Sequence, residues 1–171
     1  MREIALTQGK IAIVDDEDHE GLVCFPWVAS LKRDRYYAQR TVGPRRDRHT
    51  IAMHRVIVGA IPGELVDHRD GNTLDNRRLN LRKCTPTQNQ WNRHRIWSKS
   101  GLKGVHRVDR GCNLKRPWAA EICINGKNVH LGYFAFPEEA AIAYNRAAMI
   151  YFGEFANINR GLEPLAFQAI S

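Results

Sequence analysis

The feature that most constrains this chain is one dense stretch of turn formers set between two short apolar runs. Residues 65–93 read LVDHRDGNTLDNRRLNLRKCTPTQNQWNR, with Leu65-Val66 and Leu79-Leu81 on either side of Asp70-Gly71-Asn72 and Asp75-Asn76. Such residues supply the backbone conformations that reverse a chain, so the stretch is expected to fold back as a two-stranded ribbon. Thr85 then reads as a helix cap, Pro86 as the first helical residue and Gln88 as the third, a pattern in which cap and third residue satisfy each other's backbone N–H. Asn89 falls on the first turn of that helix and can face back toward the first strand. Asp67, His68 and Asn89 are thereby expected together. Because neighbours on a regular strand point to opposite faces, the first strand is expected to end at His68.

These residue types suit metal-assisted hydrolysis. A carboxylate and an amide oxygen are hard ligands for Mg²⁺ or Mn²⁺, ions that keep several waters and accept phosphate oxygens. A histidine beside such an ion can take a proton from an attacking water.

Asn80 follows His68 by twelve positions and Asn89 follows it by twenty-one. On this spacing the segment resembles the HNH, or His-Me finger, nucleases, in the variant found in phage and intron homing endonucleases. The Asp75-Asn76-Arg77 and Asn80-Leu81-Arg82 runs resemble the family pattern too. The resemblance implies that His68 is the general base, that Asp67 and Asn89 hold one divalent metal, and that Asn80 keeps the loop of the catalytic set in shape.

Charge favours a polyanionic partner. The 171 residues carry 26 Lys+Arg against 18 Asp+Glu, a formal net charge of +8. Residues 1–22 are acidic, with two basic and six acidic side chains, which leaves +12 on the remainder. Cys24, Cys84, Cys112 and Cys123 are scattered without a Cys-x-x-Cys pair, so they read as reduced thiols and no zinc is expected. No apolar run approaches the roughly 20 residues of a membrane span, and no secretory signal is present. The expectation is a protein of the cytoplasm, in a bacterial or phage-infected host cell, not secreted and without membrane contact. No heptad or long exposed apolar face indicates an oligomer.

Ahead of the motif, Ile4 and Leu6 alternate with Ile11 and Ile13 around Gln8-Gly9, which reads as a hairpin. The run Asp15 to Glu20 reads as a helix start with Asp15 as cap; a carboxylate metal site is the alternative. Residues 31–55 hold eight basic and two acidic side chains, interleaved with Tyr36 and Tyr37 and preceded by Phe25 and Trp27. Strands of this kind can track phosphates with Lys32, Arg33, Arg35 and Arg40, while Trp27 reads as core. Ile51 to Val58 has helical character and stops at Gly59, with His54 in a packing or supporting role.

Beyond a basic linker, from Trp91 to Ser100, the pattern restarts. Strands are expected over Gly104–Val108, Trp118–Asn125 and Lys127–Phe134, with Asn125-Gly126 as a type I′ turn. Trp118, Ala120, Ile122 and Ile124, with Val129 and Leu131, should face the core. A helix follows from Pro137 to Gly153, with Ala140, Ala143, Tyr144, Ala147 and Tyr151 as its apolar stripe. Residues 100–159 resemble the Apetala/ethylene-response-factor DNA-binding domain through SGLKGV at 100–105, WAAEI at 118–122, HLGYF at 130–134 and AAIAY at 140–144. The resemblance implies DNA contacts at Lys103, Gly104, His106, Glu121, Cys123, Asn128, His130 and Tyr144. Arg107, Lys115 and Arg116 add phosphate contacts. An insertion over Asp109 to Arg116 lengthens the first turn, and several plant arginines and tryptophans are replaced, so sequence preference does not carry over.

The expected fold class is α+β. It has a β-rich region at 1–50, a ββα-metal nuclease motif at 51–97, a three-stranded antiparallel sheet packed on one helix at 98–160, and a tail at 161–171. The expected function is a metal-dependent DNA endonuclease acting on double-stranded DNA and targeted by the C-terminal module. A DNA-binding regulator with an inactive finger is the alternative.

Overall fold

The computed structural model describes residues 1–93, 98–108 and 115–162. Residues 94–97 of the basic linker, 109–114 of the inserted turn and the tail from 163 lie outside the described residues. The chain divides into two compact units, Met1–Gln90 and Trp91–Ser171.

In the first unit, β1 (Arg2–Ala5) and β2 (Ile11–Val14) form the hairpin that alternation predicts, reversing through Gln8 and Gly9, both at positive φ. α1 spans Asp16–Val23 and buries Leu22. β3 (Val28–Lys32), β4 (Arg35–Val42) and β5 (His49–Ala52) then make an antiparallel sheet with β4 in the middle. α2 (Met53–Ile57) follows directly, and β6 (Leu65–His68) pairs antiparallel with β7 (Leu81–Cys84) ahead of α3 (Pro86–Trp91). One core joins Ile4, Val14, Leu22, Trp27, Ala38, Met53, Ile57 and Leu81. Trp27 belongs to it as expected, with its indole N–H donating to the Leu22 carbonyl at 2.8 Å.

Three local expectations need correction. The helix does not begin at Ile51, because Ile51 and Ala52 are spent on the ladder with Arg40 and Gln39 of β4. Leu79 does not open a strand: it is 91% exposed, in a turn closed by the Asn80 N–H to the Arg77 carbonyl, and the strand starts at Leu81. Asp15 stands at the cap position of α1, yet its carboxylate makes no cap bond and instead accepts the Arg78 N–H at 2.8 Å.

In the second unit, β8 (Val105–Arg107), β9 (Trp118–Ile124) and β10 (Lys127–Phe134) form an antiparallel sheet with β9 central. The expected first strand is shorter at both ends. Asn125 and Gly126 both have positive φ, as the type I′ turn requires. α4 (Pro137–Phe152) starts on Pro137 and ends at Gly153 with φ 54°. Its buried face is Ala140, Ala141, Tyr144, Asn145, Ala147, Ala148 and Phe152, so Phe152 takes the place expected of Tyr151, which is exposed. Val129 is likewise 37% exposed on an edge strand, whereas Leu131 packs against the core. Asn145 and Asn159 tie the chain after α4 to the backbone of Lys103, with Asn145 Oδ1 accepting the Asn159 N–H and Asn159 Oδ1 accepting the Lys103 N–H.

Candidate active site

Local chemistry builds the β6–β7 segment and its flanks. Register places Asp67 opposite Arg82 and His68 opposite Leu81, and β6 ends on His68 as expected. The twelve residues between the strands are held by short side-chain turns. Asp70 Oδ1 accepts the Asn72 N–H, Asn72 Oδ1 accepts the Leu74 N–H, and Asp75 Oδ1 accepts the Arg77 N–H. Asn80 closes this loop from both sides, donating Nδ2 to the Asp75 carbonyl at 2.9 Å and accepting the Asp70 N–H at 3.1 Å. The loop is also joined to β2, since the Ile13 N–H donates to the Leu74 carbonyl and the Asn76 N–H donates to the Ile13 carbonyl. α3 starts with the reciprocal cap: the Thr85 N–H donates to Gln88 Oε1 and the Gln88 N–H to Thr85 Oγ1. Asn89 lies exposed on this helix.

His68 is only 4% exposed. His54 lies edge-on to it with ring centroids 5.0 Å apart, and the Tyr37 ring stands 5.9 Å from His54 and 6.3 Å from His68. Burial holds the His68 imidazole below the ordinary histidine range, opposed by the Asn76 amide and by the carboxylates of Asp67, Asp70 and Asp75. Burial also pushes His54 down to about 3, with its proximity to His68 adding to the shift. Burial thus favours the neutral form of both rings, the state a proton acceptor needs.

Asp67 is buried against Arg82, whose Nη2 and Nε donate to Asp67 Oδ2 at 2.9 and 3.1 Å. The two bonds to one oxygen fix the orientation of this carboxylate. Among the described residues, no three or more His, Cys, Asp or Glu side chains are grouped to hold a metal ion. The acidic run at the start of α1 is engaged by Arg78, which pairs with Asp18 at 2.6 Å and Glu17 at 2.8 Å.

In the second unit, the open face of the sheet carries His106, Glu121, Cys123, Asn128 and His130, with Arg107, Lys115 and Arg116 also exposed. Two more of the expected contacts have partners within the unit. Tyr144 is a core residue at 4% exposure, its hydroxyl pushed up to about 12 by burial, and its ring packs on Gly104 so closely that a Cβ at 104 would fall 2.0 Å from it. Lys103 donates Nζ to the carbonyls of Trp91 and Arg93 at 3.0 and 2.9 Å, and burial pushes it down to about 8.

Sequence reasoning missed three residues. Arg82 and Asn76 are buried partners of the Asp67-His68 pair, and the signal for Arg82 was its position opposite Asp67 once the ribbon's ends are fixed. Tyr133 reaches the open face because a bulge between His130 and Gly132 reverses the alternation; its ring lies 4.5 Å from His130.

Residues 51–91 match the family model described as HNH endonuclease. The match contains Asp67, His68, Asn80 and Asn89. The chain is also similar to an uncharacterised HNH endonuclease of Acanthamoeba polyphaga mimivirus, at 36% identity over 113 residues, 66% of this chain. It spans 56% of that relative's length. No solved structure matches.

Proposed function

We propose that the protein is a DNA endonuclease that hydrolyses a phosphodiester bond at the end of β6. The observation that carries this reading is the buried His68 beside a carboxylate held in place by Arg82, within the residues that match the HNH endonuclease model. His68 takes the proton from the attacking water. Asn80 fixes the loop on which that histidine's surroundings depend. Asp67 and Asn89 would hold one Mg²⁺ or Mn²⁺ as a ββα-metal finger does, and their carboxylate and amide oxygens are the hard donors such an ion takes. When bound, the ion would stabilise charge on the phosphate and on the leaving 3′ oxygen. Ends carrying 5′-phosphate and 3′-hydroxyl follow from that polarity.

The second unit is proposed to hold duplex DNA on the open face of its sheet, in the manner of an Apetala-like domain. His106, Glu121, Cys123, Asn128 and His130, with Tyr133, line the open face of a small antiparallel sheet, and a β-ribbon is an element that the major groove admits. Incubation of supercoiled plasmid with the protein and Mg²⁺ tests the whole reading. The expected products are relaxed circles whose nicks a ligase reseals, with none formed in chelator. Cleavage that persists in chelator, or ends a ligase rejects, would contradict it. A shift of intact plasmid without cleavage would favour a DNA-binding regulator.

A further inference from the structure

Arg40 stands out among the basic residues of the first unit. It lies on β4 opposite Ile51, two residues before the strand ends, and its guanidinium carbon is 3.6 Å from the Phe25 ring centroid and 5.3 Å from that of Trp27. Trp27 is fixed in the core by its own hydrogen bond, so one of the two rings beside the guanidinium is held in place. Arg77, Arg78 and Arg82 each meet a carboxylate. Arg40 meets none among the described residues, and its Nε is buried without a hydrogen-bond partner.

A partly desolvated cation with a buried, unused donor is costly unless something of opposite charge lies against it. Stacking on aromatic faces leaves the edge of a guanidinium open, and that edge matches the paired oxygens of a phosphate. The chain continues from Arg40 into a turn carrying Arg45, Arg46 and Arg48, all exposed, against the single acid Asp47. This turn has a defined shape: the Asp47 N–H donates to the Pro44 carbonyl at 2.9 Å, and at Gly43, with φ 93°, a Cβ would fall 2.2 Å from the Asp47 oxygen.

We infer that the β4–β5 hairpin of the first unit is a docking surface for the phosphate backbone of double-stranded DNA, with Arg40 as its fixed cation and the three tip arginines as its mobile ones. The inference rests on the nucleic-acid reading above and adds a second contact region, outside the sheet of the second unit. Its contacts read charge and spacing, not base sequence.

Anisotropy of a labelled mixed-sequence duplex, in chelator and across about 50–300 mM salt, tests it, because each lost phosphate contact lowers the slope of log affinity against log salt by about 0.9. The full chain is compared with Arg40→Ala, Arg40→Lys and the triple variant Arg45→Ala/Arg46→Ala/Arg48→Ala. The expected result is a slope reduced by about 0.9 for Arg40→Ala and by more for the triple variant, with the slope largely retained in Arg40→Lys. Slopes equal to wild type in both alanine variants would overturn the inference while leaving the nuclease reading intact. A loss confined to the triple variant would overturn the part given to Arg40. If Arg40→Ala does not fold, the triple variant, altered only at exposed turn residues, decides. Wild-type protein that binds no duplex overturns the nucleic-acid reading itself, and the inference with it.

Discussion

Removing Arg82 isolates the contribution of the pair that sets Asp67. The two side chains are 6% and 10% exposed, and both Nε and Nη2 of Arg82 donate to the same carboxylate oxygen. An exposed pair would be worth at most about 1 kcal/mol, but removing one member of a buried pair strands the other charge and costs about 3–5 kcal/mol. Arg82→Met preserves the apolar bulk of the side chain, so most of that cost falls on the uncompensated Asp67. In a unit of roughly 90 residues, 1 kcal/mol moves the melting temperature by about 4–8 °C, and the variant should melt at least about 12 °C below wild type. Asp67→Asn should be destabilised as well, by stranding the guanidinium. The double variant should lose far less than the two single losses together, because it buries no charge. Urea unfolding of the four proteins measures the coupling. A cost below about 1 kcal/mol for Arg82→Met, or simple additivity in the double variant, would refute the claim that the fold holds this carboxylate through Arg82.

Three other outcomes follow from the same geometry. Asn80→Ala removes both bonds that close the loop and should cost about 1–3 kcal/mol while slowing nicking more than it weakens DNA binding, measured by unfolding and by single-turnover cleavage. His54 has a folded pKa below its unfolded value, so the unfolded state binds the proton more readily; its contribution is whole above about pH 6.5 and is lost as pH falls toward about 3. Stability of the first unit should therefore decline through that window by up to about 1.4 kcal/mol per pH unit from this residue, and His54→Phe should flatten the decline in pH-dependent urea melts. Gly104→Ala places a Cβ 2.0 Å from the Tyr144 ring at a φ of 73° and should destabilise the second unit by about 1–3 kcal/mol or more, read by hydrogen exchange over α4.

The parts legible in the sequence were those governed by local chemistry. The Gln8-Gly9 hairpin, the Thr85–Gln88 cap, the end of β6 at His68 and the Asn125-Gly126 turn each depend on residues a few positions apart, and each formed. The parts that were not legible depend on distant partners. Ile51 and Ala52 have helical neighbours but pair with β4, and Asp15 has a cap's sequence context but serves Arg78, sixty-three residues away. Arg82 and Asn76 carry polar side chains into the interior, where periodicity anticipates apolar ones. The partners of Tyr144 and Lys103, the Gly104 backbone and the Trp91 and Arg93 carbonyls, are likewise beyond what a family pattern at single positions conveys.

The central claim is that a neutral His68 accepts the proton in phosphodiester hydrolysis. Its most direct test is single-turnover nicking of supercoiled plasmid with Mg²⁺ by wild type and by His68→Ala, with DNA binding measured in parallel. The account predicts that the variant binds DNA as wild type does and that its cleavage rate falls by about 10²-fold or more. A His68→Ala protein that nicks at the wild-type rate would contradict it.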